Sequence, residues 1–82
     1  MRLLIAYNRH EHDIAVQMRQ DLQDAGHLVW LSCLDQPHPK HALAVKKADY
    51  VILFRKNATI RSKRVIIAHM ADDVLAQIAP GR

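Results

Sequence analysis

Histidine and thiol side chains gather in two polar stretches of this 82-residue chain. His10 and His12 follow the apolar run Leu3–Ala6, and Cys33, His38 and His41 follow Val29–Leu31. Neutral imidazole and thiolate are ligands for zinc or copper, so these five residues are the chain's candidate metal ligands if both stretches share one end of a sheet. No Cys-x-x-Cys and no helix-borne His-x-x-x-His accompanies them, and solvated loop histidines explain the spacing better, so the reading from sequence is no metal and no cofactor, with NAD or a related nucleotide, or zinc, as alternatives. Titration near neutrality would also suit the same histidines to a pH-sensitive contact. As a nucleophile, Cys33 would need His38 or His41 as its base; a lone cysteine ending a buried strand is more often a small hydrophobe, and no residue is assigned a catalytic role.

Two further sets could bind anions. Tyr7, Asn8, Arg9, Glu11, His38 and His69 combine an aromatic face with donors and one carboxylate, which would suit a nucleotide such as NAD. Gly26 and Gly81 are the only glycines, however, so phosphate-cradling glycine loops are excluded. Arg55, Lys56, Arg61, Lys63 and Arg64 flank one loop and account for much of the net charge of +4. They form either a solvated basic face or a nucleic-acid contact.

Alternating strands and helices must position these groups. Leu3–Ala6, Leu28–Leu31 and Tyr50–Phe54 are short and almost wholly apolar, as buried parallel strands are. Asn8 followed three residues later by Glu11 is a capping-box spacing, and the helix it opens carries Ile14, Met18, Leu22 and Ala25 on one stripe before Gly26 stops it. Pro39 is placed to start a short second helix ending near Ala48. Val65-Ile66-Ile67 could be a strand, but Ile67, Met70, Ala71, Val74, Leu75 and Ile78 share a helical face, which predicts a third helix ending at Pro80-Gly81. The expected fold is α/β, a three-layer arrangement of a small parallel sheet in the order 2-1-3 with three helices, strands two and three both being edges.

With 82 residues, half of them apolar, the chain can close one core and make one domain over residues 1–82. Its apolar runs are far shorter than the roughly 18 residues a membrane span needs. A single cysteine fits a reducing compartment, so a cytoplasmic location with no membrane partner is expected.

The chain resembles the first half of a TIR domain, the Toll/interleukin-1 receptor type of flavodoxin-like module. Ile5-Ala6-Tyr7-Asn8-Arg9-His10-Glu11 is similar to that family's opening strand and loop, and Gly26-His27-Leu28-Val29-Trp30 to its second strand. Lys47 to Phe54 is similar to its third strand, and Asn57 to Ser62 to the step before its third helix. The resemblance implies self-association, or pairing with another TIR-type protein in signalling or defence, through the loop after strand two. Ser32, Leu34, Asp35, Pro37 and Pro39 are the contact residues there, with Lys46, Lys47 and the third-strand residue Ile52 beside them. NAD-cleaving members carry a glutamate where this chain has Ala68, followed by His69. Glu11 is the only glutamate present, so the resemblance implies an interaction module without NAD hydrolysis. An NAD-processing remnant and a nucleic-acid-binding protein stay open as alternatives. The resemblance ends before a fourth strand, which implies a sheet that a neighbouring chain completes.

Overall fold

The computed structural model describes residues 1–35, 41–55 and 64–78. Strands β1 (Arg2–Tyr7), β2 (Leu28–Cys33), β3 (Tyr50–Leu53) and β4 (Val65–Ile67) form one parallel sheet in the order β2-β1-β3-β4. The helices are α1 (His12–Asp24), α2 (His41–Lys47) and α3 (Ala71–Ile78), with a short 3-10 turn over Arg9–Glu11 leading into α1. The class is the expected α/β one.

Side chains alternate between the two faces of the sheet, and each face has its own cluster. Leu3, Ile5, Val29, Ile52 and Ile66 meet Ala15, Met18 and Leu22 of α1 and Val74 and Ile78 of α3. Leu4, Ala6, Val51 and Leu53 point the other way, where Ala44 and Val45 of α2 cover them together with half-buried Trp30 and Val65. Thus α1 and α3 lie on one face and α2 on the other.

Local signals formed as their chemistry dictates. The capping box closes at Asn8, whose N–H donates to Glu11 Oε1 at 2.9 Å. Gly26, at φ +97°, ends α1, with His27 N–H donating to Leu22 O and Gly26 N–H to Gln23 O, which is a Schellman arrangement.

Three expectations are corrected. Val65–Ile67 is a strand and only Ala71–Ile78 is helix, because β3 offers a ladder edge to which a β-branched triplet can bond. A fourth strand is therefore present, β3 is interior, and the edges are β2 and β4. Ile52, expected at an exposed edge, is fully buried in the interior strand β3. Lastly, the buried stripe of α1 is Ala15, Met18 and Leu22, while Ile14 and Ala25 are exposed. At about 100° per residue Ala15, Met18 and Leu22 lie within about 60° of one another, and Ile14 and Ala25 fall at the margin of that stripe.

Candidate functional site

In an open parallel sheet the crevice lies at the carboxyl ends of the strands where the chain's direction of winding reverses. Here β1 leads to β2 on one side and β3 leads to β4 on the other, so the reversal falls between β1 and β3. Asn8–Glu11 emerge from β1 at that point and Arg55 follows β3.

Glu11 is the one buried charged residue among those described, and its carboxylate bridges the two strand ends. One oxygen accepts the Asn8 N–H, while Arg55 Nη2 donates to the other at 3.3 Å. Arg55 also donates to His10 Nε2 at 3.4 Å, and two thirds of its side chain stays exposed. The guanidinium therefore has capacity left for an anion.

The remaining polar groups are engaged with one another. Asp35, beyond β2, accepts the Arg9 N–H at 2.6 Å and Asn8 Nδ2 at 3.0 Å. The Arg9 backbone bond first and the Asn8 amide second hold its carboxyl below the usual carboxylate range. Tyr7 is buried with its hydroxyl 3.2 Å from His12 Nδ1. Burial pushes its phenol up, the nearby Cys33 adds to this, and Arg19 opposes it. His69 stacks on Phe54, ring centroids 6.4 Å apart.

The structure thus brings Tyr7, Asn8, Arg9, Glu11 and Arg55 to one end of the sheet. His10 turns toward Arg55 and His12 toward Tyr7, and no group of three or more His, Cys, Asp or Glu suited to a metal occurs among the described residues. Pro37, His38, Pro39, Lys56, Arg61 and Lys63 lie outside those residues, as does the side chain of His41. Arg64 is exposed just before β4, remote in sequence from Arg55. Ser32 ends up inside β2, and Leu34 donates its N–H to Tyr7 O at 2.7 Å. Ala68 is buried between β4 and α3 and lies off the helix.

Sequence reasoning missed a second feature. A groove of about 420 Å³ runs between α1 and the start of α3. Ile14 and Met70, half exposed or more, form its apolar wall, and Asp13, Asp21 and Asp72 bring acid to it. The usable signal was the segregation of charge: Asp13, Asp21, Asp24, Asp72 and Asp73 lie on α1 and α3, whereas α2 carries Lys46 and Lys47 and no acid.

No family model, curated protein or solved structure matches this chain. Among the described residues no helix is long and apolar enough to cross a membrane.

Proposed function

We propose that this chain is a TIR-like interaction module that works by association with itself or with a protein of the same type, and that it is not an enzyme. One observation carries the reading: large apolar side chains stand exposed around an open groove, Ile14 at 50% and Met70 at 60%. A small fold leaves such a wall open at a cost in hydration, and a partner that covers it recovers that cost. The carboxyl-end carboxylates support the same view, since Glu11 and Asp35 are both engaged in fixing the turn after β1. The single thiol, Cys33, suits a reducing compartment, and we place the protein in the cytoplasm.

Sedimentation velocity over a range of concentration tests this. Reversible growth in mass with concentration supports it, and a monomer at sub-millimolar concentration and low salt refutes self-association.

The exposed Arg55 favours a second reading, an anionic ligand such as NAD or another nucleotide held between β1 and β3. Thermal shift with NAD, ATP and inorganic phosphate decides this. A rise that Arg55→Ala abolishes would establish the site, and indifference to all three would remove it.

A further inference from the structure

We infer that the groove between α1 and α3 receives the exposed face of α2 from a second copy of the chain, so that copies join head to tail. This rests on the reading of the chain as a self-associating module and names the surfaces involved.

Helix α2 is two-sided. Ala44 and Val45 face the sheet, whereas Leu43, Lys46 and Lys47 are exposed. Their spacing of three and four residues puts those three on one helical stripe, an apolar side chain followed by two cations one turn later. The groove presents the complement: Ile14 and Met70 as apolar wall, with Asp13, Asp21 and Asp72 beside them. Gln17 Nε2 donates to Asp21 Oδ1 at 3.0 Å, which orients that carboxylate without neutralising it. Leu43 seated between Ile14 and Met70 would remove apolar surface from water on both sides, and the two lysines would meet the acids at the groove's margin. Complementary charge of this kind fixes the orientation of docking and speeds encounter.

Position in the fold sets the symmetry. The groove belongs to the face of the sheet covered by α1 and α3, and α2 covers the opposite face. In a molecule measuring 35 × 25 × 21 Å, one neighbour cannot engage both surfaces of the same copy. The contact is therefore heterologous, each copy giving α2 to one neighbour and its groove to another, and it grows into open chains rather than closing as a two-fold dimer.

Two variants each keep one half of the contact. Lys46→Glu with Lys47→Glu reverses the α2 face and leaves the groove intact, and Ile14→Gln with Met70→Gln makes the groove's wall polar and leaves α2 intact. All four positions are exposed, and circular dichroism checks that each variant folds. Where the reversal destabilises α2, Lys46→Gln with Lys47→Gln removes the charge more gently.

In analytical ultracentrifugation at low salt, the wild type forms a concentration-dependent series of oligomers that salt dissolves. Each variant alone is monomeric, and an equimolar mixture of the two forms a one-to-one dimer that grows no further. A wild type that associates while both variants associate equally well would overturn this docking and leave self-association through another surface standing. A wild type that stops at a two-fold dimer, or a mixture that stays monomeric, would also overturn it. A monomeric wild type would overturn both this inference and the reading on which it rests.

Discussion

The carboxyl end of the sheet and the surfaces of its helices use their polar groups in opposite ways. At the carboxyl end Asn8, Arg9, Glu11, Asp35 and Arg55 are gathered within a few ångströms and mostly bond one another. On the helices, Asp13, Asp72, Lys46 and Lys47 stand beside exposed apolar side chains and are sorted by sign between the two faces. A loop rich in functional residue types can therefore be a strut, while a plain amphipathic helix keeps its apolar and charged groups exposed. What separates the two is an accounting of partners, which residue identity alone does not supply.

The largest test of this contrast is Glu11→Ala. It removes a buried acceptor from the Asn8 N–H and leaves Arg55 without its carboxylate, so unfolding in urea should show a loss of about 2 kcal/mol. A loss near zero would mean that the carboxyl end is not a strut. Arg55→Ala should cost less than about 1 kcal/mol, because the guanidinium is mostly in water and the pair is screened accordingly. If Arg55→Ala costs as much as Glu11→Ala, the arginine is bound far more tightly than its exposure implies.

A smaller effect concerns acid stability and the amino end, where Asp49 performs for Arg2 what Asp35 performs for Arg9. Arg2 N–H donates to Asp49 Oδ2 at 2.7 Å and Asp49 N–H donates to Arg2 O at 2.7 Å, which joins the start of β1 to the start of β3. The Arg2 backbone bond is the main reason that the Asp49 carboxyl lies below its ordinary value. A depressed carboxyl contributes stability that is present above the unfolded value of about 4 and lost as pH falls through the folded value. Asp35→Asn and Asp49→Asn should each lower stability at neutral pH and leave it nearly unchanged at the acid end, so that the acid limb of a stability-against-pH curve flattens. An unchanged acid limb in both would mean that neither bond forms in solution. On the alkaline side the buried Tyr7 acts with the opposite sign, since its raised value gives stability that is lost as pH climbs past the ordinary phenol value. Tyr7→Phe should remove that alkaline loss.

Much of the fold was legible because its signals are local. Apolar runs with sharp polar ends marked β1, β2 and β3, and Asn8, Glu11 and Gly26 bounded the first helical segment through bonds made within a few residues. The misreadings came from non-local causes. Val65-Ile66-Ile67 fits both a strand and a helix until the free edge of β3 is known. The sheet meets α1 along Ala15, Met18 and Leu22 and leaves Ile14 at the margin, although its spacing to Met18 and Leu22 is sound. The site was less legible still. Arg55 and Glu11 meet across 44 positions of sequence, and the exposed Asp35 bonds Arg9 and Asn8 across 26 and 27 positions. The groove depends on α1 and α3 lying side by side, which no window of sequence contains.

Amide and methyl NMR spectra of the wild type, followed through serial dilution at low salt, test the central claim most directly because they show which surface meets the partner. The account predicts concentration-dependent shifts at Leu43, Lys46 and Lys47 and at Ile14, Met70 and Asp72, with Asn8, Arg9, Glu11 and Asp35 unchanged. Shifts confined to those four carboxyl-end residues, or spectra that do not change with concentration, would contradict it.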